Sequence, residues 1–286
     1  MSSTKSQNNG EKGEKRVILE LLLHKDNTNW LVSHFGDEAA EGIEVIDPAN
    51  NQTITSMEQI KKAASSIKAD IKIKFNSSRR VIGISIKYFH KSNPCIVNCT
   101  SRDKFIKNEK LKKYLPALDK VVGQYLKDPS NVSQCTSEVD RALSCYTLSE
   151  VEKRNVAAAI AYFTLDGTGK NDASVPANGV LDMYHRSGQM FYKECSTDED
   201  KIDYVLSNWH RYVISIRGVK QQKNGKLRGN GMPTKKKVTD DQKPWVCYYD
   251  DKGVMRPRGA ISIRIKKKKT KKKQKKRGVV PHQFFL

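Results

Sequence analysis

Asp70, Ser85 and Lys87 are the residues of this chain whose types and spacing best fit a chemical role. Asp70 opens the alternating apolar and polar segment 70–75, and the other two lie two residues apart in the similar segment 81–88. A carboxylate can hold a divalent metal ion, which neutralises charge on a phosphoryl group and acidifies an attacking water. A lysine can position that water or stabilise the pentavalent phosphorus. An aspartate and a lysine on adjacent strands therefore have the chemistry needed to hydrolyse a phosphodiester.

The alternation in these two segments predicts how the side chains are presented. Successive side chains of a strand point to opposite faces, so the isoleucines form one apolar face and the polar residues form the other. The apolar face consists of Ile71, Ile73, Phe75, Ile82, Ile84 and Ile86. A hairpin through the polar turn 76–80 places Asp70 and Lys87 on one surface, which we expect Gly83 to keep open. An ordinary hairpin with a solvated polar face has the same pattern, so spacing alone leaves both interpretations open.

Apolar periodicity, capping boxes and turn residues predict the elements around this hairpin. We predict helices at about 11–25, 56–64, 111–126 and 149–163, and strands at 43–46, 70–75, 81–88, 95–98, 213–217 and 260–265. Residues 166–178 are typical of a loop, because they contain two glycines and a proline. The mixture of strands and helices predicts an α/β or α+β domain that spans most of the chain.

The composition indicates a polyanionic partner. The 286 residues carry a formal net charge of +22, and such a field favours nucleic acid.

No apolar run approaches the roughly 20 residues needed to span a bilayer, and the polar N-terminus lacks the apolar region of a signal peptide. The six cysteines are dispersed, which favours reduced thiols over a disulfide scaffold or a zinc site. We therefore expect an intracellular protein, cytoplasmic or, in a eukaryotic host, nuclear.

A lysine-rich run near the C-terminus is the strongest local charge feature. Residues 264–277 contain eleven lysines and arginines, and the rest of the chain still carries a net charge of +11. Such a run predicts binding to phosphates without reading of base sequence, and in a eukaryotic host it could direct nuclear import. A merely solvated charge run is the alternative. The candidate DNA-binding lysines are Lys266, Lys267, Lys268, Lys269, Lys271, Lys272 and Lys273.

Four segments together resemble the PD-(D/E)xK nuclease superfamily, in particular its type II restriction endonucleases. Lys68-Ala69-Asp70-Ile71 resembles the family's Pro/Ser-Lys-x-Asp-Ile segment, and Ile84-Ser85-Ile86-Lys87 resembles the second half of its motif. Upstream, Gly10-Glu11-Lys12-Gly13-Glu14 is similar to the Gly-Glu-x-x-Glu start of several such enzymes. Downstream, residues 94–102 resemble the passage from strand to helix that follows the catalytic lysine. The resemblance covers residues 10–105.

The resemblance implies a Mg²⁺ site and names its residues. Asp70 would ligate Mg²⁺, Lys87 would position the attacking water, and Ser85 would add a hydrogen bond. Ser85 stands where the family usually has Glu or Asp, so a second carboxylate is missing from that position. Glu14 of the first helix is the preferred helper in binding the metal, and Glu20 is its rival. Lys72 and Arg102 join the candidate DNA-binding residues.

The resemblance also implies an architecture and partners. We expect an α/β fold with a restriction-endonuclease-like central mixed sheet flanked by helices, and a basic C-terminal extension. The expected divisions are a disordered N-terminus at 1–10, a nuclease core with helical elaboration at 11–219, a basic loop at 220–245, and a C-terminal strand with the lysine-rich tail at 246–286. Cutting both strands of a palindrome favours a homodimer. A cognate DNA methyltransferase encoded nearby would be a functional partner. The alternative is a non-catalytic, basic nucleic-acid-binding protein.

Overall fold

A computed structural model describes residues 9–60, 66–90, 93–128, 140–169, 172–221, 227–229, 239–245, 247–249, 255–257 and 259–268. The helices are α1 (Asn9–His24), α2 (Thr28–Phe35), α3 (Cys99–Lys107), α4 (Glu109–Lys112), α5 (Leu115–Lys127), α6 (Glu150–Ala161) and α7 (Asp198–Ser207). The strands are β1 (Ile43–Ile46), β2 (Ile71–Phe75), β3 (Val81–Phe89), β4 (Cys95–Asn98), β5 (Arg141–Ala142), β6 (Gly179–Tyr184), β7 (Met190–Glu194), β8 (Tyr212–Gln221), β9 (Leu227–Gly229), β10 (Cys247–Tyr249), β11 (Met255–Pro257) and β12 (Gly259–Ile265). The fold is mixed α/β, as the sequence predicted.

The first sheet contains the hairpin predicted from the alternating segments. In the described residues its strand order is β1, β2, β3, β6, β7. The strand β2 is antiparallel to both β1 and β3, β6 runs parallel to β3, and β7 runs antiparallel to β6. Buried and partly exposed residues alternate along β2, which confirms the predicted two-sided strand. The result is a mixed sheet with helices packed on it.

The predicted late strands belong to a second sheet, ordered β4, β12, β8, β5, with β9 paired to β8. The strand β12 lies between β4 and β8 and is antiparallel to both. Its side chains Ile261, Ile263 and Ile265 are each 1% exposed. The strand that precedes the lysine-rich tail is therefore part of the core.

Hydrophobic clusters cover both faces of the first sheet. On one face, Val17, Ile18 and Leu21 of α1 pack against the isoleucines of β2 and β3. On the other face, apolar residues of α5, α6, β6 and the second sheet form a larger cluster. The isoleucines predicted to share one buried face all belong to the α1 cluster, and their burial holds the register of the hairpin, because a slip by one residue would expose them.

Two predicted helices differ from the structure. The capping box of Ser56 and Gln59 is present, but its helical turn covers only Met57–Gln59, because Ile60 is extended, and residues 61–65 lie outside the described residues. The helix predicted at 111–126 is divided into α4 and α5. Pro116 lies in the first turn of α5, where a missing N–H is tolerated, whereas a continuous helix would need that donor.

Several elements of the structure had no counterpart among the predictions. The strand β6 is buried at every position, so it lacks the alternation that reveals a half-exposed strand. The helix predicted to end near Phe163 ends at Ala161 and continues as a π-helical turn, Tyr162–Asp166.

Among the helices of the described residues, none is long and apolar enough to cross a membrane.

Candidate active site

Asp70 lies immediately before β2, where β3 continues past the end of its partner strand. The backbone N–H of Asp70 donates to the carbonyl of Ile84 at 2.8 Å. Two residues further along β3, the N–H of Ile86 donates to the Asp70 carboxylate at 2.6 Å. The carboxylate therefore accepts a hydrogen bond from a backbone N–H of β3 that has no backbone partner on β2. Its position follows from the register of β2 against β3.

Ser85 and Lys87 lie side by side on β3, as residues two apart in a strand must. The Lys87 ammonium donates to the Ser85 hydroxyl at 2.8 Å. A hydrogen bond from Ser85 to the Asp70 carboxylate opposes part of the rise that burial causes in the pKa of Asp70, so the serine lies between the two charged groups. The predicted grouping of Asp70, Ser85 and Lys87 is present in the structure.

The electrostatics of this group are dominated by burial. Burial raises the pKa of the Asp70 carboxyl, and the positive charge of Lys87 opposes that shift. Burial lowers the pKa of the Lys87 ammonium, and the negative charge of Asp70 opposes that shift in turn. Both side chains keep part of their surface exposed. The site thus holds two charges that interact strongly but remain within reach of a ligand.

Lys68 lies within electrostatic range of the carboxylate, and Lys104 lies within electrostatic range of Lys68. Burial, followed by the positive charge of Lys87, lowers the pKa of Lys68 to about 8. The positive charge of Lys104 acts in the same direction, and its ammonium donates to the carbonyl of Thr168 at 2.6 Å. A lysine cluster beside one aspartate is a favourable environment for a phosphate group.

The first helix reaches this site through a close contact. A Cβ on Gly13 would lie 2.1 Å from the Tyr88 ring, so only glycine allows α1 to approach β3 this closely. Burial lowers the pKa of Lys87, and the charge of Glu14, the residue after Gly13, opposes that shift after those of Asp70 and Asp182, which places Glu14 within electrostatic range of the site. Glu20 lies 3.9 Å from His24 within α1. Of the two carboxylates proposed to help bind the metal, Glu14 has the better-supported position.

The expectation that Gly83 keeps the polar surface open is wrong. A Cβ at Gly83 would lie 2.8 Å from the carbonyl oxygen of Pro176 and 3.0 Å from the Cβ of Ala69. The segment around Pro176 packs on this position, and the N–H of Asn178 donates to the Gly83 carbonyl at 2.7 Å. Glycine is required here because another part of the chain fills the space.

The sequence reasoning missed a buried ion pair beside Lys87. Asp182 of β6 is the direct neighbour of Lys87 in the parallel register. Its carboxylate accepts from the Arg211 guanidinium at 2.5 Å, and both side chains are at most 3% exposed. The other carboxylate oxygen of Asp182 is buried without a hydrogen-bond partner in the described residues. An aspartate inside the apolar stretch of residues 179–184 was the available signal.

The predicted DNA-binding residues lie in different surroundings. Lys72 donates to Asn51 at 2.7 Å and stays partly exposed. Arg102 forms an ion pair with Asp119 at 2.7 Å and is largely buried, so its guanidinium joins α3 to α5. Among the lysines of the C-terminal run, Lys266, Lys267 and Lys268 are described, whereas Lys269, Lys271, Lys272 and Lys273 lie outside the described residues.

The oxygen donors at this site suit Mg²⁺, which typically takes one or two protein carboxylates together with water and substrate phosphates. Asp70 and Glu14 could supply them. The described residues contain no group of three or more His, Cys, Asp or Glu side chains that could enclose a metal ion. The donor set therefore fits an ion that substrate helps to bind.

No model of a protein family matches the chain, and no curated protein matches it.

Proposed function

We propose that this protein is a Mg²⁺-dependent endonuclease that cuts double-stranded DNA at specific sites. The observation that carries the proposal is the placement of Asp70, Ser85 and Lys87 in one half-buried group at the open end of the β2–β3 pair. Strand alternation explains their shared surface, but an ordinary hairpin does not require a lysine and an aspartate to be partly buried together. Charges that burial disfavours are typical of functional sites.

The proposed roles follow from the contacts of each side chain. Asp70, fixed by the Ile86 N–H, would present its carboxylate to the metal ion, with Glu14 as a second ligand. Bound Mg²⁺ would neutralise the developing charge on the phosphate and lower the pKa of the attacking water. Lys87, held by Ser85, would orient that water and stabilise the pentavalent phosphorus. Lys68 would add a positive charge beside the phosphate.

The architecture supports the resemblance to type II restriction endonucleases. The mixed sheet is flanked by helices, and α1 packs across the strands that carry the site. The net charge of +22 supports a polyanionic substrate. We extend the proposal to a homodimer that cuts both strands of a short palindrome, accompanied by a cognate methyltransferase.

A cleavage assay tests this function directly. The full-length chain is incubated with DNA of known sequence in Mg²⁺, in Ca²⁺ and in chelator, and the ends of the products are mapped. We expect defined fragments in Mg²⁺ only, and no fragments from the Asp70→Asn variant. Intact DNA under every condition, for a folded protein that still binds DNA, would contradict nuclease activity.

A second candidate function is supported by one observation. Ser85 is neutral where the family usually has an acidic residue, so the site contains one fewer carboxylate than a typical member. If this difference removes metal binding, the remaining lysines would form a non-catalytic phosphate-binding surface. Mg²⁺-dependent cleavage distinguishes the two functions, because both predict DNA binding.

A further inference from the structure

The start of the lysine-rich run is attached to the fold by main-chain hydrogen bonds. The N–H of Lys266 donates to the carbonyl of Arg211 at 2.8 Å, and the Arg211 guanidinium donates back to the carbonyl of Lys266 at 2.8 Å. Two residues later, the N–H of Lys268 donates to the hydroxyl of Tyr184 at 2.6 Å. Residues 266–268 therefore have a defined position over β6.

Arg211 connects this segment to the candidate active site. Its guanidinium is 2% exposed and is held by Asp182 at 2.5 Å and by Asn208 at 3.1 Å. Asp182 is the register neighbour of Lys87 on the adjacent strand. Arg211 is too buried to bind DNA itself, so its role here is to fix where the lysines begin.

The sheet register gives the distance between the lysines and the site. Lys87, Asp182 and Phe191 form one row across β3, β6 and β7, and residues in such a row share a face. Neighbouring strands lie about 4.8 Å apart, so Phe191 is roughly 10 Å from Lys87. The Lys268 ammonium lies 5.7 Å from the Phe191 ring. Lys268 is therefore within roughly 16 Å of Lys87. Base pairs rise about 3.4 Å each along the duplex axis, so this separation corresponds to about five base pairs.

Charge and exposure suit this segment to a phosphate backbone. Lys267 and Lys268 are exposed, whereas Lys266 is half-buried and lies 3.6 Å from Asp140. Burial raises the pKa of Asp182, and the positive charges of Arg211 and then Lys268 oppose that shift, so Lys268 lies within electrostatic range of the row beside Lys87.

We propose that Lys267 and Lys268 bind the DNA backbone within about five base pairs of the phosphate that faces Lys87. The proposal deepens the proposed function and rests on it for the identity of the polyanion. The lysine-rich run would then continue a phosphate-binding surface that begins at the site, and would not be an independent tether.

Photo-crosslinking of the full-length chain tests this placement. A photo-crosslinking amino acid replaces Lys268 in one variant, Lys87 in a second and Lys113 in a third, each bound in Ca²⁺ to a short duplex that contains one site. Lys113 is the matched control, because it is also an exposed lysine, its ammonium lies 5.0 Å from the Tyr114 ring, and it lies outside the row. We expect the crosslinks from positions 268 and 87 to fall within about five base pairs of each other, and those from position 113 to fall elsewhere or to be absent.

The possible outcomes separate this inference from the proposed activity. Neighbouring crosslinks from positions 268 and 87 without cleavage by the unmodified protein would contradict the nuclease activity and support the phosphate-binding surface. Mg²⁺-dependent cleavage without crosslinks from position 268, or with crosslinks spread along the duplex, would support the nuclease activity and contradict the phosphate-binding surface. The same crosslink pattern from positions 113 and 268 would also overturn the surface, because any exposed lysine would then suffice.

Discussion

At the scale of single residues, Asp70 and Lys87 are ionisable groups whose charged forms are disfavoured by burial. Burial raises the pKa of Asp70 and lowers the pKa of Lys87, so each shift disfavours the charged form. Each charge offsets part of the cost for the other. A group that only stabilised the fold would gain more from apolar side chains of similar size. The two partly buried charges therefore support the catalytic role proposed for this position.

Lys87→Ala should lower the rate of Mg²⁺-dependent cleavage by at least about 10²-fold, the scale of losing one positioned catalytic group. DNA binding in Ca²⁺ should change little, because only one charge among many is removed. The matched control is Lys74→Ala, since Lys74 is a half-buried lysine of the adjacent strand that pairs with Glu44 at 2.9 Å. Single-turnover cleavage gives the comparison, and equal rates for the wild type and Lys87→Ala would remove the lysine from the mechanism.

Asp70→Asn should raise the thermal stability of the protein at neutral pH while it abolishes cleavage. The pKa of Asp70 is higher in the folded state than in the unfolded state, so the folded state binds the proton more tightly. Stability therefore falls as the pH rises through the folded-state pKa, and the asparagine variant avoids this decrease. Below the ordinary aspartate pKa, both chains are neutral at residue 70, and their stabilities should converge.

Thermal unfolding at neutral and at acidic pH measures this difference. Asp26→Asn is the control, because Asp26 is exposed and pairs with Lys25 at the surface. It should leave stability nearly unchanged at both pH values. An Asp70→Asn variant that is less stable than the wild type at neutral pH would show that the carboxylate is needed for the fold.

At the scale of elements, the approach of α1 to β3 links the helix to the site. Gly13 lies against Tyr88, and the next residue is Glu14, whose charge acts on Lys87. The Gly-Glu-x-x-Glu resemblance predicts a role for the carboxylates of this segment, and the structure shows that its second glycine, Gly13, has a packing role. Any side chain at position 13 must move either the helix or the tyrosine.

Gly13→Ala should destabilise the protein by about 1–3 kcal/mol, the usual cost of overpacking, and should lower cleavage by moving Glu14. Gly123→Ala is the control, because Gly123 lies within α5 and an added Cβ there meets no atom within 4 Å. That variant should gain about 0.5–1 kcal/mol from the better helix propensity of alanine. Denaturant unfolding measures both, and a stabilised Gly13→Ala variant would contradict the close contact.

The local pattern predicted the elements that alternate or carry capping residues, and it missed those that do neither. The strands β2 and β3 were predicted because apolar and polar residues alternate along their sequences with a period of two. Burial alternates in the same way along β2, whereas Ile82 to Ile86 of β3 are all buried. The strand β6 is buried on both faces, so its sequence is apolar throughout apart from Asp182. Periodicity cannot separate such a run from a buried helix.

At the scale of the whole molecule, positive charge is spread along the chain and concentrated near its end. The chain has a net charge of +22, of which the run at 264–277 supplies eleven charges. The described beginning of that run is attached to the core beside the candidate site. Long-range attraction of DNA and local binding near the site would therefore use one continuous segment.

Removal of residues 269–286 should weaken binding to all DNA sequences alike. The slope of log affinity against log salt should flatten by about 0.9 for each phosphate that the shortened chain no longer neutralises. Lys267 and Lys268 remain in this variant, so we expect the position of cleavage to persist. Fluorescence anisotropy over a series of salt concentrations measures the slope. A change of cut site with an unchanged slope would mean that the removed residues read bases.

The sequence by itself determined the charge, the α/β class and the shared surface of Asp70, Ser85 and Lys87. These follow from composition and from strand alternation, which act over a few residues and need no knowledge of distant contacts. The isoleucines also determined the register, since a slip of one residue in either strand would expose them.

Only the tertiary structure decided what lies next to this surface. The pairing of β6 with β3 places Asp182 beside Lys87, and the return of residues 266–268 over β6 brings the first lysines of the run near the same row of residues. The packing of Pro176 on Gly83 likewise joins positions far apart in the chain. Such contacts depend on which surfaces of the folded chain fit together, and a local pattern of residues does not predict contacts between segments that are distant in the sequence.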